Sequence, residues 1–357
     1  MKLFQCKHCL KPAYFENTKC SHCGTLLGFD PEKLDLMAFF EQGNDAPLID
    51  AAGNPFRYCL NRQHEGCNWL IPMASTDRYC KACVLNQIIP DLSNPAYKKR
   101  WQTIENAKHR LLYAILRWNL PFVSKARNPE TGLGFEFKAA QENEAVMTGH
   151  ASGTITMNIA EADDVERAMA KKQMDEVYRT VLGHFRHEIG HYYWDILIAG
   201  STHLPVFREI FGDERASYQQ ALEKHYQKSA NREWEEKYIS AYASAHPWED
   251  WAETWAHYLH IVDTLETAFS FGLTMNPRLG TGMPYMSSSI DTDAYECPDF
   301  EQIMDQWIPL SLALNSVNRS MGLQDIYPFV ISSKVKSKLI FVHQVIQGVS
   351  RGFSSSP

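Results

Sequence analysis

The apolar positions along the chain change period several times, and each change predicts an element. In NPAYKKRWQTIENAKHRLLYAILRWNLP, residues Trp101, Ile104, Leu111, Leu112, Ile115 and Leu116 recur at helical spacing. Pro121 follows, so the pattern predicts a connecting helix over 95–120. LGFEFKA (133–139) and TGHASGTITMNIAEAD (148–163) alternate with β-branched and aromatic residues, the pattern of strands. From Asp163 to Leu197 the period is helical again, with Asp163 or Asp164 placed to cap it and Gly183 and Gly190 weakening it slightly. Helical patterns follow over 214–228 and 232–242. HPWEDWAETWAHYLHIVDTLETAF opens a longer helix with Pro247 as its first residue. The tail reads as helical over 299–320 and 333–350, and FDPEKLDLMAFFEQGN near the start is a short amphipathic stretch.

Composition narrows the class. The 357 residues are 45% hydrophobic and 22% charged, which excludes disordered, collagen-like and coiled-coil chains and leaves room for two or three domains. A formal charge of −7 gives no whole-chain case for nucleic acid. The first 100 residues hold 12 Lys/Arg and 10 Asp/Glu, with no basic stripe among aromatics. No apolar run approaches the roughly 18 residues of a membrane span, and MKLFQCKHCL lacks the apolar core of a secretory signal. The expectation is a cytoplasmic protein, where patterned cysteines signal metal more than disulfides.

Eight of the nine cysteines lie in the first 83 residues. Cys6, Cys9, Cys20 and Cys23 form two C-x2-C pairs, the spacing that offers four thiolates to one tetrahedral zinc ion. Cys59, Cys67, Cys80 and Cys83 form a looser second set, in which His64 could replace Cys59 or Cys67. Such modules are too small for an apolar core of their own, so metal would supply much of their folding energy. Cys297 stands alone and reads as a small buried residue.

The chemistry concentrates in GHFRHEIGHYYWD. His187, Glu188 and His191 form H-E-x-x-H, which on a helix sets the two imidazoles about 40° apart on one face with Glu188 about 100° round. That arrangement suits one zinc ion, with the glutamate in reach of its water. His184 lies near the same face and reads as a packing residue. Trp194 and Leu197 stand where the metzincin extension needs glycine and histidine, which excludes that class. A third ligand must therefore come from elsewhere. Glu249 and Glu253, at i and i+4, share a face that His257 and His260 continue, opposite the apolar stripe of Trp248, Trp251, Trp255, Leu259 and Val262. Two carboxylates beside such a stripe are costly to bury unless a metal and a histidine pair with them.

These motifs carry a resemblance. HFRHEIGHYYW followed by SAYASAHPWEDWAETWAHYLH, together with CNW, IPDL, TGHASGTITMNIAEAD and FGDERASY, resembles a bacterial family of zinc-binding metallopeptidases with N-terminal zinc ribbons, over nearly the whole chain. The site is also similar to that of gluzincins, where a glutamate on a later helix completes the ligand set. In the lethal-factor-like branch the pattern is E-x-x-A-E with a tyrosine seven residues upstream, matched here by Glu249, Glu253 and Tyr242. The resemblance implies that Glu249 ligates, that Glu253 holds a ligand histidine, and that Tyr242 supports the oxyanion or leaving group. Both glutamates share a helix face, so spacing alone does not rank them, and the 57 residues between His191 and Glu249, more than in common gluzincins, depart from the family pattern. Tyr238 and His246 compete with Tyr242 for the auxiliary role.

The expectation is an α+β chain: a zinc ribbon over 1–28, a second zinc-binding cysteine module over 52–90, a zincin-like metallopeptidase domain over 125–275 and a mostly helical region over 276–357. One catalytic and two structural zinc ions are expected. The strand over 152–160 would be an edge strand pairing with an extended peptide. The partner is a peptide or protein substrate, with a protein partner at the ribbons as a further expectation and nucleic acid disfavoured. The alternative is a catalytically silent zinc-binding adaptor.

Overall fold

A computed structural model describes residues 2–40, 47–140, 146–173, 179–227, 232–278 and 286–354. The chain forms two compact units: residues 1–117 with 121–170, and residues 118–120 with 171–357.

In the first unit the cysteine-rich segments fold as short antiparallel ladders. β1 (Phe4–Gln5) pairs with β2 (Pro12–Ala13), and β3 (Leu26–Asp30) with β4 (Asp35–Phe39). β5 (Leu48–Ile49), β6 (Pro55–Tyr58) and β7 (Leu70–Pro72) form a three-stranded sheet. The amphipathic stretch thus becomes the β3–β4 hairpin, its turn closed by Glu32 N–H donating to Asp30 Oδ1 at 3.0 Å.

The expectation that these modules lack an apolar core is corrected in one respect: they share one with a helix. Between β7 and the helix the chain adds β8 (Asn86–Ile88), and α1 (Pro95–Arg117) then runs as the sequence predicts. Phe15 and Phe29 pack with centroids 4.8 Å apart, Phe29 and Trp69 likewise at 4.8 Å, and Tyr113 of α1 joins at 5.6 Å from Phe15. Gly66 lies so close to α1 that a Cβ there would fall 2.3 Å from the Trp101 ring.

β9 (Gly134–Lys138), β10 (Gly149–Ala151) and β11 (Thr154–Asn158) complete a four-stranded mixed sheet of order β10-β11-β9-β8. Phe135, Phe137, Ile155 and Met157 alternate onto its buried face. The edge-strand expectation fails here. A tight turn at Ser152–Gly153 folds β10 back on β11, so β11 has ladders on both sides and offers no free edge.

The long helical pattern resolves into α2 (Asp164–Gln173) and a separate α3 (Val181–Tyr193). Thr180 starts α3 afresh, its hydroxyl accepting from Gly183 N–H at 2.9 Å. α4 (Leu204–Phe211), α5 (Tyr218–Gln227), α6 (Pro247–Ser270), α7 (Phe300–Ser320) and α8 (Ser333–Ser354) follow. The 232–242 pattern gives only 3-10 turns, Arg232–Glu236 and Tyr242–Ser244. The Ser240 hydroxyl accepts from Ala243 N–H at 3.1 Å, the local competition that keeps serine out of helix interiors. Among the described residues no helix is long and apolar enough to cross a membrane.

The second unit is organised around α3 and α6. Tyr193 stacks on Trp255 at 5.0 Å, and Trp251 Nε1 donates to Gly190 O at 2.8 Å. Phe211 of α4 and Phe341 of α8 close over Trp251 at 5.8 and 6.1 Å. The helices touch backbone to side chain at Gly190, where a Cβ would meet Ala252 Cα at 3.0 Å and Trp255 Cβ at 3.2 Å. At the far end, Arg186 pairs with Asp263, which also accepts from Tyr295.

Gly190→Ala tests this contact. In an exposed helix the change would stabilise by about 1 kcal/mol. Here the helices must part by tenths of an ångström, and overpacking of this kind costs roughly 1–3 kcal/mol. The expected outcome is a lower Tm in thermal unfolding; a raised Tm would mean the helices are not held at this distance.

Candidate metal centres

α6 begins where Pro247 sets the first helical turn, and His246 caps it. His246 Nδ1 accepts from Trp248 N–H at 3.1 Å, so the other ring nitrogen donates, to Ala216 O at 3.1 Å. Both nitrogens are thereby committed, and His246 leaves the competition for the auxiliary role. The Tyr238 ring carries the Lys338 ammonium 4.2 Å from its centroid. Lys338 in turn pairs with buried Asp250 at 2.6 Å and donates to Lys237 O at 2.6 Å.

With α3 and α6 in contact at Gly190, the donors of the two helices meet. Glu249 Oε2 lies 2.9 Å from His187 Nε2 and 3.3 Å from His191 Nε2, and the two imidazole nitrogens are 3.1 Å apart. Ligands about 2.0–2.1 Å from a tetrahedral zinc stand about 3.3 Å from one another. The triangle therefore matches one face of such a site in size and in chemistry, two imidazoles and one carboxylate. Glu253 lies outside it. Its Oε1 meets His187 Nδ1 at 2.7 Å and its Oε2 accepts from Ser240 Oγ at 2.6 Å. A histidine held at Nδ1 by a carboxylate presents its Nε2 lone pair to an ion.

The electrostatics point the same way. Burial opposes a charge on Glu249, yet His187 and His191 hold its carboxyl well below the usual range. Burial likewise opposes the His187 cation, but Glu249 and Glu253 carry that pKa well above the imidazole value. Burial works against Glu253 too, and His187 brings its pKa down to about 2. These groups demand positive charge at the point where they converge. Glu188, buried next to them, is pushed up by desolvation against the pull of His187 and His191.

Around the cluster, the Trp248 ring sits 3.8 Å from that of His191 and the Tyr242 ring 5.8 Å from that of His187. Trp248 thus lines the site instead of joining the inward stripe. Tyr218, at the start of α5, is a residue the motif reading missed: its hydroxyl donates to Glu249 Oε1 at 2.6 Å. The His246–Ala216 bond carries the preceding loop to that position. The available signal was FGDERASY itself, a segment with no motif role of its own. His257 and His260 turn elsewhere, to Tyr327 at 2.8 Å and to Arg186.

In the first unit, the sulfurs of Cys6, Cys9, Cys20 and Cys23 lie within 4.8 Å of one another, with Cys6–Cys23 at 3.9 Å and Cys9–Cys20 at 3.6 Å. Thiolates about 2.3 Å from a tetrahedral zinc stand about 3.8 Å apart. Bonds from Thr25, then His8, hold the Cys23 thiol down to about 5. Cys59, Cys67, Cys80 and Cys83 also cluster within 4.8 Å, all four buried, with Cys67–Cys80 at 3.7 Å. His64 is not among these donors; it meets Gln63 at 2.9 Å and faces Trp101. Cys297 is buried alone, its thiol donating to Asp299 O at 3.2 Å.

A zinc-ribbon domain model matches residues 3–94, and a family model described as "Putative zinc-binding metallo-peptidase" matches residues 97–345. Uncharacterized proteins of Mycobacterium bovis and of two strains of Mycobacterium tuberculosis are 42% identical over 355 residues, covering 99% of this chain and 97% of theirs. No solved structure matches. Zinc-ribbon cysteines at the start, a metal-sized His-His-Glu cluster within the matched region and relatives spanning the full length leave one conclusion: the chain belongs to this zinc-binding metallo-peptidase family.

Proposed function

We propose that the protein is a zinc-dependent peptidase that hydrolyses peptide bonds in a peptide or protein substrate, with His187, His191 and Glu249 as the ligands of its catalytic ion. The observation that carries this reading is the convergence of two Nε2 atoms and one carboxylate oxygen within 2.9–3.3 Å of each other. A bound zinc ion would supply a Lewis acid for the scissile carbonyl and lower the pKa of water toward about 7. Glu188 takes the proton of the attacking water and returns it to the leaving amine. Desolvation raises the Glu188 pKa, the direction that helps a carboxylate both take up and return a proton. Glu253 orients His187, and Tyr242 supports the oxyanion or the leaving group. Cys6, Cys9, Cys20 and Cys23 hold one structural zinc, and the Cys59, Cys67, Cys80 and Cys83 set holds another. Thiolate sites of this kind fit a reducing compartment, the cytoplasm.

Glu188→Gln should retain fold and zinc and abolish peptide hydrolysis, the loss falling on kcat and not on KM because the proton moves in the transition state. Steady-state kinetics on a cleaved peptide, beside metal analysis, checks it, and an unchanged kcat removes Glu188 from the mechanism.

The two glutamates separate by zinc titration. Glu249→Ala should collapse affinity at the His-His site, while Glu253→Ala should weaken it roughly 10–100-fold through the loosened His187 ring. The reverse order would exchange their roles.

Metal analysis of fully loaded, reduced protein should find three zinc ions per chain. Mild chelation should strip one ion, with activity, before the thiolate-bound pair. One zinc or fewer at saturation sinks the stoichiometry.

A further inference from the structure

The second cysteine set has a neighbour that lies beyond the zinc-ribbon match. His109, on α1, is buried with its Nε2 3.3 Å from Cys67 Sγ and 3.7 Å from Cys83 Sγ. Its Nδ1 is 2.6 Å from Glu105 O. A carbonyl only accepts, so Nδ1 carries the hydrogen and donates. In a neutral ring the Nε2 lone pair then faces the sulfurs. A ring N–H given to a backbone carbonyl with the other nitrogen turned to soft donors is the arrangement of a metal-ligating histidine. The distances fit as well. A nitrogen about 2.0–2.1 Å and a sulfur about 2.3 Å from one tetrahedral zinc stand about 3.5 Å apart.

Charge decides between five candidate donors for four positions. Zinc with four thiolates carries a net charge of −2, and all four cysteines are buried. The ionic groups beside the site do not offset it: Lys108 and Glu105, both fully buried, neutralise each other with Nζ–Oε2 at 2.9 Å. Replacing one thiolate by a neutral imidazole halves the buried charge and lowers its desolvation cost by more than half. The sulfur that can be spared is Cys59. Cys80 and Cys83 form the C-x2-C pair, and Cys67 and Cys83 are the sulfurs that His109 Nε2 faces.

We propose that the second structural zinc is held by Cys67, Cys80, Cys83 and His109, so that α1 supplies a ligand to the N-terminal module. This rests on the second cysteine set binding metal, part of the function proposed above, and the experiment reads that separately. The full chain, labelled with nitrogen-15 at histidine, is loaded with cadmium-113 and followed by cadmium NMR, in which each thiolate site gives its own resonance and a nitrogen ligand shifts it upfield of a four-sulfur site. Two thiolate resonances are expected, one in the four-sulfur range and one upfield of it with a coupling to a ring nitrogen. In Cys59→Ser the second should persist. In His109→Ala it should lose the nitrogen coupling and move to the four-sulfur range, while the first stays in place.

Two uncoupled four-sulfur resonances in the unsubstituted chain would overturn the assignment of His109 without touching the metal content, and need no variant to be seen. Loss of the second resonance in Cys59→Ser would equally overturn it. A single thiolate resonance, uncoupled and in the four-sulfur range, would show that the second set binds no metal, overturning this inference and the zinc count together.

Discussion

The close crossing of α3 and α6 is the constraint on which the second unit depends. His187 and His191 are one turn apart on one helix, and Glu249 and Glu253 one turn apart on the other. Such side chains meet only if the backbones approach more closely than large residues allow. Gly190 and Ala252 sit at the contact, each between the two donors of its own helix. Gly190 therefore reads differently once folded: as a sequence feature it weakens a helix, and in the folded chain its missing Cβ lets the His-His-Glu cluster close. The surrounding aromatics, Tyr193, Trp251 and Trp255, fill the volume beside this contact and stiffen it.

Buried charge is managed by the same helices. Asp250, next to Glu249, is fully buried and pushed up to about 7 by desolvation against the pull of Lys338. Lys338 comes from α8, so the tail is part of the unit that holds the His-His-Glu cluster and not an appendage to it. Asp263 takes Arg186 and Tyr295 at the other end. Asp250 adjoins Glu249, Asp263 lies almost four turns further along the helix, and each ties α6 to its surroundings. Removing one partner leaves the other buried and uncompensated, a cost of roughly 3–5 kcal/mol.

Much of this was legible in the sequence, for a physical reason. Helical periodicity is local, so H-E-x-x-H and E-x-x-A-E each announce which side chains share a face, and α1, α6, α7 and α8 fall near their predicted spans. What depends on distant partners was not legible. The tyrosine on Glu249 Oε1 comes from a segment 31 residues earlier, placed there by a cap bond to Ala216 that no spacing reveals. The strand over 154–158 alternates equally well at an edge or inside a sheet, and only the tight turn before it decides. His109 reads as one more polar position on an amphipathic helix until the fold brings it to the sulfurs. The start of α3 was hidden because Thr180 caps within a stretch whose periodicity runs on through it.

The aromatic core of the first unit bears on how such a chain can be recombined. The zinc-ribbon match ends at residue 94 and the peptidase match begins at 97, so a junction there looks like a natural breakpoint. Yet Tyr113 packs on Phe15, Trp101 fills the space beside Gly66, and Arg110 reaches back to Glu16 at 2.5 Å. A chimera that grafted a foreign ribbon at that junction would set unfamiliar loops against a helix already shaped for these ones. The heritable unit is therefore the whole first unit, the ribbon with its helix and the sheet that β8 shares with β9, β10 and β11, and the graft site that keeps it whole lies beyond residue 170.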